Sequence, residues 1–135
     1  ERALLNNRLD VMDLPDAWSA KMQEYLGVTP PDHRVGVLQD VHWAAGLVGY
    51  FPTYTLGNII SGQLRNSMVK SIGELEPYIA KGEFQPILDW MRTNIHSKAR
   101  IHTPKALVEL ATSEKLNAAY YVDYLKSKFG AIYEL

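Results

Sequence analysis

Apolar positions recur with the period of a helix along almost the whole chain. Leu4, Leu5 and Leu9 suit a short helix over residues 1–9, or the tail of one. Leu14-Pro15-Asp16 opens a second helix, with Asp13 as its N-cap and Pro15 in the first turn, where a missing N–H costs no bond. Trp18, Met22, Tyr25 and Leu26 then fall on one stripe, and Gly27 marks the stop. Residues 28–36, with two adjacent prolines, read as an ordered loop. Leu56, Ile59, Ile60, Leu64 and Met68 give the next helical face. Gly57 and Gly62 weaken that helix by about 1 kcal/mol each relative to Ala, and predict the close approach of another backbone.

A shorter helix is expected from Ile72 to Lys81, closed by Gly82. Phe84, Ile87, Leu88, Met91 and Ile95 form the clearest stripe in the chain. Thr103 followed by Pro104 is an N-cap with proline at the first helical position, and Leu107, Leu110 and Ala111 follow. Asn117 is placed to cap a last helix carrying Tyr121, Tyr124, Leu125 and Phe129, ahead of Gly130. No segment alternates with period two over strand length, and there is no internal repeat. The expected fold is all-α, one helical segment over residues 1–135 with about six or seven helices and short connections.

With 135 residues, 47% apolar and 21% charged, the chain is long enough and apolar enough for one globular core. A net charge of −1 argues against a nucleic-acid surface and gives no attraction to anionic membranes. No apolar run approaches the ~18 residues of a membrane span. The absence of cysteine removes disulfides, thiolate metal sites and thiol nucleophiles. The opening ERALLNNRLD lacks a signal-peptide pattern and an initiator Met, so the chain is expected to be a segment of a longer polypeptide.

Candidate chemistry concentrates in GVLQDVHWAAGLVGYFPTYTLG, residues 36–57, where Gln39, Asp40, His42 and Trp43 precede Tyr50 and Tyr54. Elsewhere His33, His96 and His102 read as surface or capping histidines, and the tyrosines at 120, 121, 124 and 133 as packing residues. There is no H-E-x-x-H, no nucleophile elbow and no phosphate loop. Asp40 and His42 supply two metal ligands where a catalytic zinc needs three, so no metal residue is assigned. Two readings of the stretch stay open. It is either a buried polar knot that satisfies its own loop, or a set of acceptors, a titratable donor and phenols that orients a substrate or stabilises an oxyanion.

Gly36-Val37-Leu38-Gln39-Asp40-Val41-His42-Trp43 matches the pattern G-x-x-Q-D-x-H-W. With it go Gly49-Tyr50-Phe51-Pro52-Thr53-Tyr54-Thr55-Leu56-Gly57, Gln63, the upstream Leu14-Pro15-Asp16-Ala17-Trp18 with Tyr25-Leu26-Gly27-Val28, and Tyr124-Leu125-Lys126 near the end. On these residues the chain resembles the thermostable-carboxypeptidase family of metal-dependent carboxypeptidases over essentially its whole length. The resemblance implies a cytoplasmic homodimer that removes C-terminal residues from peptides with broad specificity. It implies a divalent metal, zinc or cobalt, held by an H-E-x-x-H and a later Glu, and an upstream arginine motif for the substrate carboxylate.

None of those parts is in this sequence, so the chain resembles only the C-terminal portion of such an enzyme. It is expected to be inactive and metal-free by itself, its partner being the catalytic portion. The resemblance places residues 36–43 at the active-site groove. It implies catalytic or substrate-contacting roles for His42, with Asp40 orienting it, and loop ordering or substrate bonding for Gln39. Trp43 would be a packing wall, and Tyr54, then Tyr50, oxyanion donors. The rival reading is an autonomous helical protein-interaction domain, which a complete short gene starting near Glu1 would favour.

Overall fold

A computed structural model describes residues 1–98 and 100–134. Seven α-helices are present and there is no strand among the described residues. They are α1 (Arg2–Leu5), α2 (Leu14–Leu26), α3 (Pro52–Ile72), α4 (Glu76–Lys81), α5 (Gln85–Asn94), α6 (Pro104–Thr112) and α7 (Ala119–Tyr133). The chain divides into two compact units, one over Glu1–Thr53 and the other from Tyr54 onward. No helix among the described residues is long and apolar enough to cross a membrane.

The first unit contains α1, α2 and a long stretch of turns. Asp13 stands at the N-cap of α2, but its side chain makes no capping bond. Its backbone is already helical, at φ −86° and ψ −5°, whereas a capping side chain works from an extended residue. Asp10 instead accepts the N–H of Met12 one turn earlier. Gly27 ends α2 as expected, in the left-handed conformation at φ +68°. Trp18 and Met22 are half-buried, while Tyr25 and Leu26 stay exposed. Helix α2 packs against a 3₁₀ turn, Val37–Gln39. Among the described residues, Trp18 Nε1 is a buried donor with no hydrogen-bond partner.

The second unit holds the hydrophobic core. Met68, Leu75 and Trp90 are buried together, with Leu64, Val69, Ile72, Ile87, Met91 and Ile95 against them. Helix α3 runs through Ile72 and breaks at Gly73, φ +85°, so the following helix begins at Glu76 rather than at Ile72. Gly82 closes α4 at φ +71°. On α5 the buried residue is Trp90, and Phe84 and Leu88 lie exposed, so the core face is rotated from the expected stripe. The same happens on α6, where Val108 is buried and Leu110 exposed. Thr103 caps α6 as expected, its hydroxyl accepting from Ala106 N at 3.3 Å. Asn117 lies one residue before the cap position, which Ala118 occupies without a side-chain bond; Asn117 Oδ1 instead accepts Ala119 N at 2.9 Å in a local turn, and α7 continues past Gly130 to Tyr133.

Of the two helix glycines, Gly62 meets the expectation of close approach. A Cβ there would lie 3.0 Å from Tyr121 Cα on α7. Nothing lies within 4 Å of the Cβ position of Gly57. One residue beyond Gly62 along α3, Gln63 is the most deeply buried polar side chain described, only 1% exposed. Its amide donates to Thr112 Oγ1 and to the carbonyls of Glu114 and Lys115, and its oxygen accepts Asn117 N–H. The α6–α7 connection is thus pinned to α3 by one side chain with every polar atom bonded.

Candidate functional site

The candidate stretch is built on the proline loop before it. Asp32 Oδ1 accepts the backbone N–H groups of Arg34 at 2.8 Å and Val35 at 3.2 Å, and these bonds, Val35 first, hold its carboxyl below the usual range. The loop then folds over Gly36, where a Cβ would lie 3.1 Å from Asp32 O and from Pro30 Cβ. Only a glycine fits under this loop without moving it. Gln39, in the 3₁₀ turn that follows, donates its side-chain amide to Arg34 O. Gln39 therefore ties its own loop together.

Asp40 is extended, at φ −81° and ψ 107°, and turns its carboxylate back on the next residue but one. Its Oδ1 accepts the backbone N–H of His42 at 2.9 Å and stands 2.7 Å from His42 Nδ1. The backbone bond chiefly, then the ring bond, keep the Asp40 carboxyl below its ordinary value. An ionised carboxylate only accepts, so Nδ1 carries the proton and Nε2 is the lone-pair nitrogen of the neutral ring. Both side chains are well covered, 16% exposed for His42 and 22% for Asp40.

The backbone after His42 curls so that its carbonyl accepts from Leu47 N at 2.8 Å, with Gly46 at φ +73° and Gly49 at φ +77° providing the left-handed turns. This brings two rings back onto the imidazole. Tyr50 stacks on it at 5.8 Å between centroids, and Phe51 meets it edge-on at 5.1 Å. Trp43, next to His42, is partly exposed and donates its indole N–H to Glu1.

Of the residues expected from sequence, Asp40, His42 and Tyr50 are therefore brought into direct contact. Gln39 and Trp43 hold the surrounding loop. Tyr54 belongs to the second unit, in the first turn of α3, with half of its surface exposed. Sequence reasoning missed Phe51 as a wall of the imidazole and Glu1 as a partner of Trp43. Phe51 was legible in principle, since it follows Tyr50, but nothing local points to Glu1.

Among the described residues no three His, Asp or Glu side chains stand close enough to hold a metal ion. Asp40 and His42 are bonded to each other through Oδ1 and Nδ1, and no metal role is assigned to them. The second unit has an open cleft of about 490 Å³ lined by Arg65, Asn66, Glu76, Tyr120, Asp123 and Lys128, among others. Its main groups are satisfied within the unit. Arg65 pairs with Glu76 at 2.6 Å, and Tyr120 donates to Glu114 at 2.6 Å. It contains no paired acid and base like Asp40 and His42.

The chain is 48% identical over 133 residues to thermostable carboxypeptidase 1 of Thermus thermophilus, covering 98% of this chain and 26% of that protein. It is 41% identical over 135 residues to carboxypeptidase 1 of Bacillus subtilis, covering all of this chain and 27% of the relative. The solved M32 carboxypeptidase from Deinococcus radiodurans R1 superposes with a TM-score of 0.92 at 38% identity, over 99% of this chain and 27% of that one. The chain thus spans about a quarter of the length of the relatives it matches. The model of the carboxypeptidase Taq (M32) metallopeptidases matches residues 1–129, and with that the chain belongs to this family.

Proposed function

We propose that this chain forms one wall of the active-site groove of a carboxypeptidase that removes C-terminal amino acids from peptides. The single observation that carries the reading is the Asp40–His42 pair held between Tyr50 and Phe51. A well-covered imidazole whose Nδ1 proton is fixed by a carboxylate has a defined tautomer and a defined direction for Nε2. Held this way, the imidazole would contact the peptide at its scissile end.

The other residues support that function. Gln39 orders the loop under His42, and Trp43 walls the groove. Tyr50, which already lies on the imidazole, and Tyr54 are the phenols that would donate to an oxyanion, a contribution of about 3 kcal/mol when preorganised. The ligands, base and carboxylate clamp of the reaction belong to the remaining three-quarters of a polypeptide the length of the relatives. The first unit fits such a partner. It has no buried hydrophobic side chain among its described residues, exposes Leu5, Val11, Met12, Leu26 and Leu38, and leaves the Trp18 indole N–H unpartnered. The complete enzyme is proposed to act as a homodimer.

The test is His42→Ala in the full-length polypeptide that carries this segment. Turnover is expected to fall by about a hundredfold or more while metal content stays at the parent level. Unchanged turnover would remove His42 from the reaction. Parallel loss of metal and activity would make it a ligand or a support of one.

A further inference from the structure

Glu1 reaches 42 and 48 residues along the chain to two donors with a single oxygen. Its Oε1 accepts the Trp43 indole N–H at 2.6 Å and the Gly49 backbone N–H at 2.8 Å. The backbone of the same residue is fixed as well, since Glu1 O accepts Leu5 N at 2.9 Å across the single turn of α1. The two donors are not arbitrary points. Trp43 directly follows His42, and Gly49 directly precedes Tyr50. Between them lies the turn whose left-handed glycines bring the Tyr50 ring onto the imidazole.

We propose that Glu1 is a positioning residue that latches both ends of this turn and so sets the His42–Tyr50 geometry. The inference rests on the reading of His42 as a contact residue of the groove. The physical case has three parts. Hydrogen bonds to a carboxylate are about twice as strong as neutral ones. Glycine-rich turns lose more entropy on ordering than other segments, so they need an external tether to stay fixed. A sub-ångström displacement of a substrate-contacting group is enough to slow a reaction severalfold or more. Without the Glu1 carboxylate, α1 retains its own backbone bonds, but the Trp43 indole and the Gly49 N–H lose the acceptor that joins them to that helix. Asp40 still holds Nδ1, so the ring keeps its tautomer while its stacking partner moves.

The latch is tested in the full-length polypeptide with Glu1→Ala and Glu1→Gln. The protein is labelled with 5-fluorotryptophan, and the Trp43 resonance is assigned by its loss in Trp43→Phe. Glu1→Ala is expected to shift that resonance and to lower kcat by about tenfold with KM changed less than about threefold. Glu1→Gln keeps an oxygen that accepts both N–H groups, so it should restore most of the rate. A Trp43 resonance unmoved by Glu1→Ala overturns the latch. A moved resonance with unchanged kcat overturns its role in positioning, as does equal impairment of the two variants. The fluorine readout does not depend on catalysis, and His42→Ala assayed alongside separates failure of the latch from failure of the groove assignment.

Discussion

Asp40 Oδ1 accepts two hydrogen bonds from one residue, the backbone N–H of His42 at 2.9 Å and its ring Nδ1–H at 2.7 Å. A carboxylate two residues ahead of a histidine thus fixes the backbone and the tautomer at once. The pair makes stability depend on pH with a definite sign. The folded carboxyl sits below its ordinary value of 3.8, to which it returns when unfolding breaks both bonds. The unfolded state therefore takes up the proton first as pH falls. The stabilisation is fully present above the unfolded value and disappears as pH drops through the folded one. Asp40→Asn should be less stable than the parent at pH values well above 3.8, and the gap should close as pH falls below 3.8 and through the folded value. Urea unfolding across that range reads the difference. Asp32, held low by the N–H groups of Val35 and Arg34, weakens both proteins in acid alike and cancels from the comparison. A gap between the parent and the Asp40→Asn variant that does not change with pH would contradict the assignment.

The surface of the first unit carries a second expectation. Its apolar side chains are left in water to an extent that a stable monomer rarely tolerates, with Met12 84% exposed and Val11, Leu26 and Tyr25 each at least 65% exposed. As a separate molecule, the 135-residue chain should associate as its concentration rises, measured by sedimentation velocity, and should bind an apolar dye. A strictly monomeric, dye-negative species at high concentration would show that these side chains need no cover.

Gly57 and Gly62 share one helix and should respond to alanine with opposite signs. At Gly57 a methyl meets open space, and removing the flexibility of glycine from a helix interior gains about 0.5–1 kcal/mol. At Gly62 the methyl would sit 3.0 Å from Tyr121 Cα and 3.1 Å from Tyr121 N, which are backbone atoms that cannot swing aside. The helices must separate, at a cost of about 1–3 kcal/mol. Thermal unfolding of the two single variants checks the pair. Equal shifts would mean that α3 and α7 do not approach through Gly62.

The same two glycines show what sequence could and could not settle. Helix positions are legible because a 3.6-residue period is local, and Gly27, Gly82 and Thr103 end or begin helices where their chemistry says they should. Which face of a helix turns inward is not local. On α5 the stripe ending at Met91 and Ile95 is visible in sequence, but Trp90 is the residue buried, because the α3 face carrying Leu64 and Met68 decides the rotation. Gly57 and Gly62 look alike in sequence and differ only in what lies opposite. The candidate site is legible where its partners are neighbours, as with Asp40 and His42. It is illegible where the partner is distant, as with Glu1 and Trp43, whose separation of 42 residues leaves no pattern to read. The family, by contrast, is matched over residues 1–129, and within that span Gly36 is fixed by its loop, Asp40 by His42 and Gln39 by Arg34.

Gln63 makes the most demanding prediction about the fold. It is buried to 1% exposure, and its amide serves Thr112 and two carbonyls while its oxygen holds Asn117 N–H. Gln63→Leu keeps the volume but strips a partner from each of those groups in a place water does not reach. Buried polar groups left without partners cost about 1–3 kcal/mol each, and relaxation of the connection recovers part of it. The expected net loss is about 2–4 kcal/mol. Gln85→Leu is the control, since Gln85 makes one exposed bond to Asp89 at 2.7 Å on the surface of α5. Its loss should be about 0.5 kcal/mol or less. Denaturant unfolding measures both, and hydrogen exchange adds a local readout. The Asn117 amide should lose its protection in the Gln63→Leu variant before the core of α3 does, because its acceptor is gone while Met68 remains packed on Trp90. Similar stability losses at positions 63 and 85, or an Asn117 amide that stays protected, would mean that the α6–α7 connection is held by something other than this side chain.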